Sequence, residues 1–294
     1  MCSATTHYGI VVGVDGSQES HAAVRWAARE AQTWGVPVTL MNVVTPVVMS
    51  WPATPLQETI SACEVQNADD LLSHARQILL GEFGTGNTPE VRSQVCFSGV
   101  VAALVDASKN ANMIVVGTRG RGAIGRALLG SVSTGLLHHA QCPVAVVHSR
   151  EGRLPDAHSP VVVGIDGSPT SEAAVAIAFD EASRRQAELI AIHVWSDVGV
   201  FPTLGMDWRL YEERGHEILA ERLAGWQERY PDVRIRRIVE CDRPARWFIE
   251  HSKDAQMVVL GSHGRGGFAG MLLGSVSSAV AQSVDIPVIV ARPR

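Results

Sequence analysis

The stretch GTRGRGAIGRALLGSVS runs from Gly117 to Ser133, and GSHGRGGFAGMLLGSVS runs from Gly261 to Ser277. Ten of the seventeen aligned positions are identical, with no gap. A second pair of matching stretches lies upstream of each. GIVVGVDGSQESHAAVRWAAREAQ starts at Gly9, and PVVVGIDGSPTSEAAVAIAFDEAS starts at Pro160. Asp15 aligns with Asp166 at an offset of 151, whereas the glycine-rich stretches are offset by 144. The period is far too long for a solenoid repeat and fits one whole domain written twice. The copies are assigned to residues 1–150 and 159–294, joined by the polar, proline-containing SREGRLPDAHSP. The difference of seven falls between the matching stretches, where MSWPATPLQETISACEV faces DVGVFPTLGMDWRLYEE. Length drift of this kind is expected in loops.

Within each copy, strand and helix patterns alternate. IVVGV (Ile10 to Val14) is a short, nearly all-apolar run, as in a strand buried on both faces. Ser17 is placed to cap the next helix, and in the second copy Ser168 caps with Pro169 at the first helical position. Ala23, Trp26, Ala27, Ala31 and Trp34 recur at helical spacing and predict the buried stripe. VPVTLMNVV, VRSQVCF, MIVVG and PVAVVHS supply four further strands, with helices over Asp69–Leu80, Val101–Lys109 and Ser131–Ala140. The second copy repeats the strands as VVVGI, ELIAIHVW, VRIRRIV, MVVLG and PVIVA. Five strands alternating with helices imply an α/β domain, its parallel sheet covered on both faces. Right-handed crossovers favour the order 3-2-1-4-5. The chain direction then reverses between strands one and four, where such sheets bind ligands beyond the carboxyl ends of their strands. Val14-Asp15-Gly16-Ser17 and the loop from Gly117 would meet at that point.

The glycines suggest what such a site holds. Gly117, Gly120 and Gly122 would let backbone approach a ligand and adopt positive φ. Consecutive amides in such a turn form an anion nest. Gly130, Ser131 and Ser133 then open a helix whose free amides favour a phosphate, with the hydroxyls adding hydrogen bonds. The second copy offers Gly261, Gly264, Gly266, Gly274, Ser275 and Ser277. Neither a P-loop nor the dinucleotide fingerprint G-x-G-x-x-G after strand one is present. Asp15 and Asp166 have two readings: a carboxylate for a ribose hydroxyl, base edge or metal-bound water, or a plain Asp-Gly-Ser turn. Arg119, Arg121, Arg265 and His263 are either phosphate partners or solvated loop charge. His138 and His139 are adjacent on a helix and share no face, so surface placement is expected over metal binding. Trp34, Trp226 and Trp247 are expected in cores or interfaces.

The spacing Gly117-x-x-Gly120, nine residues, Gly130-Ser131 resembles the G-2x-G-9x-G-[ST] signature of the ATP-binding universal stress proteins. Gly261, Gly264, Gly274 and Ser275 match it equally. The Val-Asp-Gly-Ser after strand one, the His193-Val194 ending of strand two and the Cys-Pro-Val or Ile-Pro-Val entry to strand five are similar as well. The resemblance covers nearly the whole chain as a tandem pair. It implies two adenine-nucleotide-hydrolase-like, Rossmann-like domains with ATP in the cleft between strands one and four. Mg2+ would be carried on the phosphates, and pairing would run through strand five. By motif position, Gly13, Asp15 and Val43 would line ribose and adenine in the first copy, and Gly164, Asp166 and Val194 in the second. Thr118, Val132, Ser262 and Val276 complete the implied contacts. Two departures stand out. Asn42 replaces the counterpart of His193, which is expected to alter packing near the adenine, and Arg126 faces Gly270 within the loop.

Composition excludes several classes. The 294 residues are 46% hydrophobic and 19% charged, which belongs to a folded globular chain. The formal charge of −5 shows no electrostatic footprint for nucleic acid. No apolar run reaches the roughly 18 residues of a membrane helix, and no leader pattern precedes the first strand, so a cytoplasmic protein is expected. Five cysteines without a C-x-x-C point to buried free thiols instead of zinc or disulfides. No catalytic constellation is evident: the only lysines are Lys109 and Lys253, outside both motifs, and no Asp-x-Asp lies near the loops. A nucleotide-dependent regulator or sensor is therefore preferred. A slow ATP-hydrolysing or adenylating enzyme and a structural adaptor with vestigial sites remain the alternatives. The partners implied are an adenine nucleotide and further copies of the chain through sheet-edge strands, the two copies packing through PVAVVHS and PVIVARP.

Overall fold

The computed structural model describes residues 7–46, 54–84, 88–120, 129–149, 154–195, 208–264 and 272–292. The chain divides into two compact units, Met1–Val147 and His148–Arg294.

In the first unit the order is β1 (Gly9–Gly13), α1 (Gln18–Trp34), β2 (Val38–Val44), α2 (Thr54–Glu82), β3 (Val91–Phe97), α3 (Val100–Ser108), β4 (Ala111–Gly117), α4 (Ser131–His139) and β5 (Val144–Val147). The strands lie in the order β3-β2-β1-β4-β5, and every pair is parallel. This is the 3-2-1-4-5 arrangement that the alternation predicts. α1 and α2 pack on one another against the sheet, while α3 and α4 pair elsewhere on it. Ile10, Val11 and Val12 of β1 are fully buried, as a central strand covered on both faces requires.

The second unit repeats the plan with β6 (Val161–Gly164), α5 (Pro169–Arg185), β7 (Leu189–Trp195), α6 (Trp208–Leu223), α7 (Trp226–Arg229), β8 (Ile235–Cys241), α8 (Pro244–His251), β9 (Met257–Gly261), α9 (Ser275–Ser283) and β10 (Val288–Ala291). Its order is β8-β7-β6-β9-β10, again all parallel.

Local sequence explains the helix ends. Ser17 caps α1 by accepting from the Ser20 amide, and Ser168 caps α5 by accepting from the Ser171 amide, with Pro169 inside the first turn. Such caps contribute about 1 kcal/mol each. α1 ends at Gly35 in the left-handed region (φ 66°), and its counterpart Gln186 takes the same conformation (φ 53°). Ala23, Trp26, Ala27 and Ala31 form the buried stripe of α1, while Trp34 at its end is only half-buried.

Two expectations change. α2 is an unbroken helix of 29 residues, much longer than the Asp69–Leu80 segment expected. Its counterpart, described from Trp208 to Arg229, is broken at Gly225 (φ 76°). The cysteines are not all buried: Cys63 and Cys241 are exposed and Cys96 is half-buried; only Cys142 among those described is buried. Burial pushes the Cys96 thiol up, partly offset by a hydrogen bond with Gln94. Among the described residues no helix is long and apolar enough to cross a membrane.

Candidate functional site

β1 ends in a turn that one carboxylate organises. Asp15 Oδ1 accepts from the Ser17 amide at 3.0 Å and from the Ser17 hydroxyl at 2.6 Å. Gly16 supplies the positive φ of 78° that this turn needs. The second unit repeats the geometry. Asp166 Oδ1 accepts from the Ser168 amide at 2.9 Å and its hydroxyl at 2.6 Å, with Gly167 at φ 81°. The other oxygen of each carboxylate faces the glycine loop. A Cβ on Gly120 would lie 2.3 Å from Asp15 Oδ2, and one on Gly264 would lie 2.7 Å from Asp166 Oδ2. The turn reading of the aspartate therefore holds at Oδ1 in both units.

The loop is laced to this turn. Ser17 Oγ lies 3.5 Å from the Arg119 carbonyl. In the second unit the His263 carbonyl accepts from Thr170 Oγ1 and lies 3.3 Å from Ser168 Oγ. The Gly130 amide donates to the Thr118 carbonyl at 2.8 Å, and the Gly274 amide to the Ser262 carbonyl at 2.7 Å, closing each loop onto its root.

The roles of several glycines and hydroxyls differ from expectation. None of the described loop glycines has positive φ. Gly117 is small because α1 leaves no room: a Cβ there would lie 2.6 Å from the Glu19 carbonyl carbon. Gly261 meets Thr170 and Ser171 of α5 in the same way. Ser133 Oγ donates to the Gly117 carbonyl at 2.8 Å, and Ser277 Oγ to the Gly261 carbonyl at 2.6 Å. A hydroxyl has one proton, so neither donates to a ligand in this arrangement. Thr118 and Ser262 are buried beneath the loop, and Ser131 and Ser275 are exposed. Arg121, Gly122, Arg126, Arg265, Gly266 and Gly270 lie outside the described residues.

What the loops do offer is backbone. α4 and α9 start at Gly130 and Gly274 with no side-chain cap, unlike α1 and α5. The first amides of a helix have no partner within it, and the helix dipole adds partial positive charge there.

In the second unit these parts surround one cavity of about 310 Å³. Gly164, Asp166 and Val194 line one side; Gly261, His263 and Gly264 another; Gly274, Ser275, Val276 and Ser277 form the helix start. Ile165, Ser171, Ile192, Pro244, Phe248 and Leu260 also line it, and sequence reasoning missed them. The available signal was Pro244 and Phe248, four apart at helical spacing. In the first unit a cavity of about 250 Å³ is lined by Asp15, Asn42, Val43, Val44, Glu64, Asn67 and Leu71. Gly13 does not line it; a Cβ there would lie 3.1 Å from Val116 Cγ1 and 3.5 Å from Leu104 Cδ1. Glu64 and Asn67 precede the Asp69–Leu80 segment expected to be helical, and Leu71 lies within it; none was singled out.

The Asn42 departure proves conservative in one respect. Asn42 Nδ2 donates to the Val14 carbonyl at 2.7 Å, and His193 Nδ1 pairs with the Ile165 carbonyl at 2.7 Å. Different side chains fasten the same backbone position, the residue before the aspartate. Trp247 and its neighbour Phe248 are buried in α8, and Trp226 stacks on Phe179 at 5.2 Å. His138 is half-buried and His139 exposed. Among the described residues no group of three or more His, Cys, Asp or Glu is arranged to hold a metal.

Two doubly wound α/β units, each with an Asp-Gly-Ser turn facing an uncapped helix start at its switch point, define a class of tandem cleft proteins. The chain belongs to the universal stress protein family, whose model matches residues 9–148 and 158–292. It is 55% identical over 294 residues to a universal stress protein of Mycolicibacterium smegmatis, covering 100% of both chains. It is 50% identical over 293 residues to one from Mycobacterium tuberculosis, covering 99% of each. The crystal structure of a universal stress protein from Archaeoglobus fulgidus shares the fold with a TM-score of 0.69 at 23% identity, covering 98% of this chain and 99% of that one.

Proposed function

We propose that the chain is a nucleotide-dependent regulator that binds adenine nucleotides, ATP above all, with one site per unit. The observation that carries this reading is the second unit's cavity, where Asp166 and the uncapped start of α9 line the same space. Helix amides and dipole suit a phosphate, and a carboxylate suits ribose hydroxyls. The apolar walls suit a base, and a volume of about 310 Å³ falls at the lower end of the range for small-molecule sites. The first unit repeats the turn, the loop root and the uncapped helix start. Backbone amides of Ser131, Val132 and Ser133, and of Ser275, Val276 and Ser277, would hold the phosphates. Asp15 and Asp166 would hold the ribose, and Val43 and Val194 would flank the base. Mg2+ would be carried on the phosphates. Self-association through sheet-edge strands belongs to the same proposal and is read by sedimentation equilibrium.

The test is mass spectrometry of nucleotide released from denatured, freshly purified protein, followed by equilibrium dialysis with ATP. ATP in the released fraction and two sites per chain support the reading. An accumulating ADP or AMP product at rates near the ~1 per second floor of typical enzymes would favour the hydrolysing or adenylating alternative. No adenine nucleotide in either measurement overturns the reading.

A further inference from the structure

The two clefts follow one plan with different walls. The offset of 144 pairs Phe248 with Leu104 and Leu260 with Val116. In the second unit Phe248 is buried and extends over Gly164. A Cβ there would lie 2.9 Å from the ring Cζ and 2.5 Å from Leu260 Cδ2. Both side chains line the cavity beside Ile192, Val194 and Pro244. In the first unit Gly13 is met by aliphatic atoms instead, Val116 Cγ1 at 3.1 Å and Leu104 Cδ1 at 3.5 Å.

The helical wall differs too. Aligning the buried faces of α2 and α6, Ala68 on Gly215 and Leu72 on Leu219, places Glu64 at the position of Tyr211. The strand offset of 151 pairs Val44 with Trp195. Trp195 and Tyr211 stack with ring centroids 5.3 Å apart. At the same positions the first unit presents Val44 and the Glu64 carboxylate, both lining its cavity with Asp15.

We infer that the clefts are specialised: the second is the high-affinity, base-holding site, with Phe248 as its specificity-determining residue, and the first is a weaker site with a polar wall. This inference rests on the adenine-nucleotide reading above. A purine has two apolar faces, and contact with an aromatic ring is worth about 5- to 150-fold in affinity per base against alanine. The first cleft has no ring at the matching position, and Glu64 adds a second carboxylate beside Asp15. A base covering those carboxylates must strip water from them, and the triphosphate meets more negative charge.

Equilibrium dialysis of the full chain with labelled ATP tests this. Wild type is expected to show two classes of site at least about fivefold apart in affinity. Asp15→Ala removes the weaker class. Phe248→Leu, which installs the first unit's residue, lowers the tighter class about fivefold or more, whereas Phe248→Tyr keeps the ring and keeps the affinity. Equal sites in wild type overturn the inference while leaving the nucleotide reading intact. A tight class unmoved by Phe248→Leu overturns it as well. Equal losses in the Leu and Tyr variants also overturn it, since they mark Phe248 as packing only. No ATP bound to wild type refutes the nucleotide reading itself, and this inference falls with it.

Discussion

Replacing Gly117 by alanine separates two explanations of a signature glycine. If the glycine lets backbone approach a ligand, the methyl group costs affinity. The structure instead puts α1 against it, with the Glu19 carbonyl carbon, Cβ and carbonyl oxygen 2.6 to 2.7 Å from an added Cβ. These atoms are the first turn of a helix and not the end of a flexible side chain. Relief requires α1 to move off β4 or the strand end to tilt. Overpacking of this kind costs typically 1–3 kcal/mol. For a unit of this size each kcal/mol lowers the melting temperature by about 2–4 °C, so a fall of about 2–12 °C is expected without any nucleotide present. The assay is urea and thermal unfolding of nucleotide-free protein by circular dichroism, with hydrogen exchange assigning the loss to β1, β4 and α1. A variant with wild-type stability and exchange but weakened ATP binding would refute the packing argument. It would restore the simpler view that the glycine serves the ligand.

Three further outcomes follow from the same geometry. Ser133→Ala removes the bond to the Gly117 carbonyl and leaves a buried acceptor short of a partner, so a loss of about 1–2 kcal/mol is expected in denaturant titration; Ser131→Ala, at an exposed position, is expected to stay within about 0.5 kcal/mol of wild type. Gln186→Gly relieves a left-handed residue at the end of α5, where the other copy already has Gly35, and is expected to gain about 0.5–1 kcal/mol in the same titration. In a Cys2→Ala background, Cys63 and Cys241 are expected to react with a thiol reagent in the native protein, Cys96 slowly because its thiol is pushed up, and Cys142 only on unfolding; rapid labelling of Cys142 would contradict its burial.

The fold was legible because duplication and alternation are local properties of sequence. Apolar runs such as Ile10–Val14 can only be strands covered on both sides, and two copies of each signal corrected one another. The aspartate turns were legible because Asp-Gly-Ser chemistry acts within three residues. What the loop glycines do was not, because Gly117 answers to Glu19, almost a hundred residues away, and nothing in the loop announces that helix. The serines misled for a related reason. Ser131 and Ser133 look alike in sequence, but only the second turns inward to the loop root. Glu64 and Phe248 were missed because each belongs to a helix whose register against the sheet sets what it faces, and register is a tertiary property.

The carbonyl of His263 accepts the Thr170 hydroxyl and lies 3.3 Å from Ser168 Oγ, whereas its counterpart Arg119 has Ser17 at 3.5 Å, and Glu19 stands at the position of Thr170. A carboxylate cannot donate as a hydroxyl does, so the second loop carries a latch to its outer helix that the first copy does not duplicate. Such a difference is one of timing. The segment at His263 must break an extra bond before it can leave α5. Exchange of the Gly264 amide is accordingly expected to lag behind that of Gly120. On the nucleotide reading, one chain is then expected to hold a slow cleft and a fast one, separable by the dissociation rates of labelled ATP.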